Sequence, residues 1–315
     1  MQPAIGAAGR TGSRPDSFLT APWSPAGSPG RRPCWSRVVP MVNEYAEGFP
    51  ALIAFDLDDT LAPSKSPLPA AMGATMRDLL AVRPVCIISG GQFGQFKTQV
   101  LDRLPADTDL SGLHLMPTCG TRYMRFVDGA WRELYAHDLE PAQRRAAIES
   151  IERRAAELGL WEPDEAVAGD RIEDRGSQIT YSALGQEAAV DDKKAWDPDG
   201  AKREALREAI AADLPTLEVR AGGSTSIDIT RHGIDKAYGI EQLAGQTGIA
   251  LGDMLFVGDR LAPGGNDYPV RTLDVPCHQV ADHDETLAYL NRLIPVLAAG
   301  DTPGAELLDL LEPLA

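Results

Sequence analysis

The sequence predicts an α/β protein in which a doubly wound parallel sheet is interrupted by a second, α+β domain. Two observations carry this. Three short apolar runs, far apart in the chain, each end abruptly in a polar cluster: Asp56-Leu57-Asp58-Asp59, Ser89-Gly90-Gly91 and Gly258-Asp259. Between the second and third of these runs lie segments that alternate polar and apolar residues, the pattern of a sheet with only one face covered.

The first run, Leu52-Ile53-Ala54-Phe55, has the length and composition of a strand buried on both faces. A loop punctuated by proline through Pro69 and a helical pattern through about Leu80 follow. The second run, Val85-Cys86-Ile87-Ile88, closes a βαβ unit. Gln143 to Leu158 repeats small and apolar residues at helical spacing. Asp197-Pro198 reads as the start of another helix, with an acid at the N-cap and proline in the first turn. Gln178–Ser182 and Thr225–Thr230 alternate, so the insert is expected to span about 135 to 228. A helix from about Lys236 to Gly248 then leads to the third run, Met254-Leu255-Phe256-Val257. In open parallel sheets ligands sit beyond the carboxyl ends of the strands, where the three polar clusters fall.

Residues 1–45 are rich in Pro, Gly, Ser, Ala and Arg, hold a single acid before Glu44, and show no hydrophobic periodicity. They are expected to form a disordered extension, with Met41 an alternative start. The remainder divides into a first core part (46–134), the insert (135–228) and a second core part (229–315).

Composition excludes some functions. A formal charge of −16 over 315 residues argues against a nucleic-acid partner, because phosphate backbones are held by clustered Lys and Arg. No run approaches the roughly 18 apolar residues of a membrane span. Cys34, Cys86, Cys119 and Cys277 form no CxxC pair, which indicates neither a zinc site nor a disulfide framework and fits a reduced, cytoplasmic setting. A compact anionic ligand remains compatible with an acidic chain, because a metal ion and a few local cations suffice to hold it.

The chemistry follows from the clusters. Phosphoryl transfer through a carboxylate needs a nucleophile, a divalent cation, a proton donor for the leaving oxygen, and cations for the phosphate. Asp56 and Asp58, two residues apart after a strand, suit the first and third roles and a hard, oxygen-coordinated ion such as Mg2+. Read one at a time, an acidic turn, a turn serine or a helix-start lysine is ordinary; their joint order along the chain is not.

Phe55-Asp56-Leu57-Asp58-Asp59-Thr60-Leu61, Ser89, Lys236 and Gly258-Asp259 resemble, in order, the four motifs of the haloacid dehalogenase (HAD) superfamily. The position of the insert resembles that superfamily's type IIB cap. Gly233-Ile234-Asp235-Lys236 and Gly258-Asp259-Arg260-Leu261-Ala262-Pro263-Gly264-Gly265-Asn266-Asp267 are similar to the eukaryotic-type phosphomannomutases, and the likeness covers about 50 to 295. The resemblance implies a Rossmann-like core and a cap, with Asp56 as nucleophile and Mg2+ ligand. It makes Asp58 the general acid/base and a ligand through its carbonyl, and Asp259 the remaining ligand, supported by Asn266 and Asp267. Ser89, Gly90 and Lys236 would bind the phosphoryl group. Lys65, Arg175, Ser226 and Asp228 fall at substrate-binding positions.

Two departures bear on the reaction. Gln186 and Lys193 stand where the phosphomannomutases carry arginines, and neither grips phosphate bidentately. The expected function is therefore a Mg2+-dependent sugar-phosphate phosphohydrolase, with a phosphomannomutase-like isomerase as the alternative. A silent phosphosugar-binding protein is disfavoured because Asp56 and Asp58 are both present. The implied partner is a small phosphorylated substrate, and the resemblance implies a homodimer formed through the cap. His232 is either a residue of the domain junction or an exposed loop histidine.

Overall fold

Strand runs of four apolar residues leave their backbone groups unpaired unless they join a sheet, and the described residues build two. The computed structural model describes residues 49–299; the extension expected over 1–45 and the alternative start at Met41 lie outside the described residues. The described residues all fall within one compact unit.

The chain enters the first sheet at β1 (Leu52–Phe55) and returns through α1 (Ala70–Leu80) to β2 (Val85–Ile88). It continues through α2 (Phe93–Gln99) to β3 (Leu113–Met116). A tight turn, α3 (Pro117–Gly120), leads into the hairpin of β4 (Arg122–Val127) and β5 (Ala130–Ala136). Next come α4 (Pro141–Glu157), β6 (Ile172–Asp174), β7 (Ile179–Ser182), α5 (Val190–Trp196), α6 (Ala201–Asp213), β8 (Leu217–Ala221) and β9 (Ser226–Arg231). The chain then returns through α7 (Lys236–Thr247), β10 (Met254–Gly258), β11 (Cys277–Gln279) and α8 (His283–Ala299).

The first sheet has the order β11-β10-β1-β2-β3-β4-β5, parallel from β11 to β3 and antiparallel over the last two pairings. β1 is an interior strand, pairing Leu52 with Met254 and Phe55 with both Val257 and Ile87. Its residues and those of β2 are fully buried because alternate side chains enter different cores. Ile53, Phe55, Val85 and Ile87 pack with Met72, Met76 and Leu79 of α1 and with Tyr289 and Leu290 of α8. Leu52, Ala54, Cys86 and Ile88 pack with Ile240 and Leu243 of α7. Each such aliphatic or aromatic side chain contributes about 1.5–3 kcal/mol.

The second sheet is antiparallel, in the order β6-β7-β9-β8. Ile179, Tyr181, Val219, Ile227 and Ile229 turn toward Ala147, Ile151 and Ala155 of α4 and Leu206 and Ile210 of α6. The opposite face carries Gln178, Thr180, Ser226 and Asp228, as the alternation predicts. β5 keeps residues through Ala136 in the first sheet, and β9 keeps residues through Arg231 in the second. The chain therefore passes between the sheets at 137–140 and 232–235.

The helix expected from Asp197-Pro198 begins instead at Ala201. Pro198-Asp199-Gly200 forms a turn, with Gly200 at φ 78°, that folds the Asp197 carboxylate under the helix start. Asp197 Oδ1 accepts from Lys202 N at 3.0 Å and Oδ2 from Arg203 N at 3.2 Å. The acid caps the helix from further upstream than a one-residue N-cap allows.

α7, which begins at Lys236, is seated by two glycines. A Cβ on Gly120 (φ 81°) would lie 2.4 Å from Gly239 Cα, and a Cβ on Gly239 would lie 2.3 Å from Ile88 Cδ1 and 2.9 Å from Cys119 O. Overpacking such a contact costs about 1–3 kcal/mol. Gly239→Ala should lower unfolding stability by about that amount in a urea titration, with an unchanged m-value.

Candidate active site

The polar clusters converge where β1, β2 and β10 end, in a cavity of about 470 Å³ that also takes in the polar face of the second sheet. Asp56 is 3 % exposed, one residue past β1. Its Oδ1 accepts from Leu57 N at 2.6 Å and is 2.6 Å from Lys236 Nζ. No donor among the described residues reaches Oδ2, and Asp56 lines the cavity.

Lys236 is 1 % exposed at the first position of α7. Its ammonium bridges Asp56 and Asp267. Asp267 is wholly buried and also accepts from Arg260 N at 3.0 Å. Gly258 at the end of β10 makes room for it, because a Cβ there would lie 2.6 Å from Asp267 Oδ2. Asp259 follows, its Oδ1 accepting from Thr60 Oγ1 at 3.2 Å.

Burial pushes the Asp56 carboxyl up to about 7 against the pull of Lys236, whose charge is shared with Asp267. Burial also raises Asp259, helped by the charge of Asp267. For Lys236 burial disfavours the charge, but Asp56 and Asp267 outweigh it and hold the group up.

Oxygens of Asp56, Asp259 and Asp267 all lie within 4.8 Å of one another. With all three carboxylates ionised, the one ammonium leaves two negative charges together, which a divalent cation would balance. The donors are all hard oxygens, so the residues fit Mg2+ better than a thiophilic metal.

Asp58 stands apart from that cluster. Its Oδ1 accepts from Lys65 N at 2.6 Å and its Oδ2 lies 3.4 Å from Gln95 Nε2. Lys65 reaches this place through a left-handed backbone, φ 56°. Ser89 (3 % exposed) and Gly90 line the cavity after β2, and the Ser89 hydroxyl accepts from Gly91 N at 3.2 Å.

The second sheet supplies the facing wall. Thr180 and Arg220 flank Asp228 in register on β7 and β8. Asp228 Oδ1 accepts from Gln178 Nε2 and Thr180 Oγ1, each at 2.8 Å. Arg175 donates Nη1 to Gly90 O at 2.8 Å and pairs through Nη2 with Glu173 at 2.6 Å. Buried Arg175 Nε and Gln186 Nε2 find no hydrogen-bond partner among the described residues. Lys193 is the exception among the sequence-predicted residues of this wall: it does not line the cavity, and its ammonium donates to Gln186 O at 2.8 Å. Burial and then the charge of Lys65 lower it to about 8.

Lys65, Arg175, Gln186, Ser226, Asp228 and Asn266 do line the cavity. His232 lies away from it, paired with Glu218 at 3.0 Å on the exposed surface. Sequence reading missed Thr60, Gln95, Gln178, Thr180, Arg220 and Cys119. The alternation that marked an open sheet face already singled out Gln178 and Thr180. Cys119 had no such signal, since its place in the cavity comes from a left-handed turn (φ 53°) after β3.

Residues 163–296 match the family model of eukaryotic phosphomannomutase. The phosphomannomutase of Encephalitozoon cuniculi is 23% identical over 257 residues, covering 79% of this chain and 95% of that protein. That of Spinacia oleracea is 24% identical over 251 residues, covering 76% and 94%. Among solved structures, the IMP-bound, N-terminally truncated IMP-nucleotidase of Plasmodium falciparum superposes with a TM-score of 0.58 at 14% identity, covering 78% of this chain and 68% of that one. Fold and motif order resemble those of the HAD superfamily. Within it, the chain resembles the eukaryotic phosphomannomutases. Among the described residues no helix is long and apolar enough to cross a membrane.

A buried carboxyl with a raised pKa favours the folded state while protonated. The contribution of Asp56 is therefore fully present below the usual value near 3.8 and is lost as pH rises through about 7. A cation must displace that proton. The rise in Tm produced by Mg2+ should accordingly grow from about pH 6 to about pH 8, and Asp259→Asn should abolish it, by differential scanning fluorimetry.

Proposed function

We propose that the protein is a Mg2+-dependent phosphohydrolase that acts on a sugar phosphate through an aspartyl-phosphate intermediate on Asp56. The observation that carries this reading is the Asp56 carboxylate itself: one oxygen is fixed by Lys236 and the Leu57 amide, the other meets no donor among the described residues, and the residue lines a cavity that Asp58 also lines.

Asp56 and Asp259, with the backbone carbonyl of Asp58, would hold Mg2+, and Asn266 and Asp267 would support them. When bound, the ion supplies neutralising charge for the phosphoryl oxygens and the carboxylates. Asp56 Oδ2 attacks phosphorus, the bond from phosphorus to the sugar oxygen breaks, and Asp58 gives that oxygen its proton. Water then attacks the same phosphorus, Asp58 takes its proton, and Asp56 leaves as carboxylate. The Ser89 hydroxyl, the Gly90 loop and Lys236 hold the phosphoryl oxygens. Ser226 and Asp228 receive sugar hydroxyls, with Lys65, Arg175 and Gln186 around them.

Hydrolysis is favoured over isomerisation by how the facing wall spends its charge. Arg175 is engaged by Glu173 and Gly90 O, Lys193 is turned onto a carbonyl, and Gln186 is neutral. A mutase must grip a phosphate at the distal end of the sugar as well as at the reacting end. The second reading, a phosphomannomutase, is favoured by the names of the relatives and by Arg220 in the cavity wall.

With mannose 1-phosphate and Mg2+, the wild type should release inorganic phosphate, and Asp56→Asn should lose at least about 10³-fold in rate. Formation of the 6-phosphate with a bisphosphate activator, without comparable phosphate release, would establish the mutase instead.

A further inference from the structure

The wall that carries Ser226 and Asp228 is held by a pair of residues outside the cavity. The turn joining β8 to β9 runs through Gly222 and Gly223, and both line the cavity. Gly222 lies against the substrate-facing side chains: a Cβ there would sit 2.8 Å from Asp228 Oδ2 and 3.2 Å from Ser226 Cβ. The carbonyls of the same turn face Arg203. Its Nη1 donates to Gly223 O at 2.7 Å and lies 3.5 Å from Gly222 O.

Arg203 is in turn fixed by Asp197, whose side chain is fully buried and pairs with Arg203 Nε at 2.8 Å. That carboxylate is itself held by the amides of Lys202 and Arg203. Gly200 leaves space for the guanidinium, since a Cβ there would lie 3.2 Å from Arg203 Nη2.

We infer that Arg203, locked by Asp197, is a positioning residue for substrate: it clamps the Gly222-Gly223 turn and so sets where Asp228 and Ser226 stand in the cavity. The planar fork suits this task, because one guanidinium reaches a carboxylate on one edge and backbone carbonyls on the other, which an ammonium on a flexible stem cannot do. Arg203 does not line the cavity, so it acts on substrate only through the turn. The catalytic part of the inference rests on the phosphohydrolase reading; the clamp itself does not.

The test compares Arg203→Met, Arg203→Lys and Asp197→Asn with wild type in two ways. Kinetics are measured on mannose 1-phosphate and on p-nitrophenyl phosphate, whose leaving group has no hydroxyls for Asp228. Amide hydrogen exchange is followed over residues 222–226. Loss of a charge-assisted hydrogen bond predicts, for Arg203→Met, about a tenfold rise in KM for mannose 1-phosphate with kcat held within about threefold. The preference for mannose 1-phosphate over p-nitrophenyl phosphate should fall by a similar factor, with Arg203→Lys intermediate and exchange at 222–226 accelerated. Equal losses on both esters, or exchange unchanged in variants that remain folded, would overturn the inference. If wild type turns over neither ester, the phosphohydrolase reading fails on its own, and the exchange rates still decide the clamp.

Discussion

The site depends on one buried ammonium. Lys236 is enclosed at the start of α7, bridging Asp56 from the end of β1 and Asp267 from beyond β10. A lone charge at that depth would cost several kcal/mol, so the two carboxylates are a condition for its presence. The same bridge fixes one oxygen of Asp56, while the other meets no donor among the described residues. Three segments far apart in sequence must meet within hydrogen-bond distance, and the central parallel sheet brings them there. Gly258 lets the β10 end lie against Asp267, and the Gly120 and Gly239 contact lets α7 approach closely enough for the lysine to arrive.

Charge is distributed unequally across the cavity. The β-strand ends of the first sheet gather more carboxylate than ammonium, which favours a divalent cation and, with it, a phosphoryl group. The cations beside the facing sheet are already engaged, Arg175 by Glu173 and the Gly90 carbonyl and Lys193 of α5 by the Gln186 carbonyl. What the sheet offers instead are hydroxyls, amides and Asp228, groups that match a polyol better than a second phosphate. This division between a charged floor and a polar wall is what supports the proposed hydrolysis over isomerisation. The phosphomannomutase relatives, alike over nearly their whole length, share the scaffold on which either reaction could run.

Much of this was legible in the sequence because burial on both faces leaves a plain mark. Leu52–Phe55, Val85–Ile88 and Met254–Val257 are unbroken apolar runs, and the polar clusters that end them mark the carboxyl edge of the sheet. The alternation in Gln178–Ser182 likewise exposed the polar wall. Other features left no local mark. β3, with His114 buried in mid-strand, and the β4-β5 hairpin, with Arg122, Arg125 and Arg132 along it, mix polar and apolar residues too evenly to reveal their pairing. Asp197 looked like an ordinary N-cap because the turn through Gly200, which moves the helix start to Ala201, depends on a left-handed residue that sequence does not force. The direction in which Lys193 would turn from α5 was likewise unreadable, since it is decided by which carbonyl lies within reach.

The most direct test of the account is chemical trapping of the Asp56 acyl phosphate. Protein mixed with mannose 1-phosphate and Mg2+ is quenched in acid, reduced with borohydride, digested, and read by mass spectrometry. Reduction converts an aspartyl phosphate to homoserine, so the account predicts homoserine at position 56 and at no other carboxylate. Turnover of the ester with position 56 unmodified, or with the modification at Asp58 or Asp259, would contradict it.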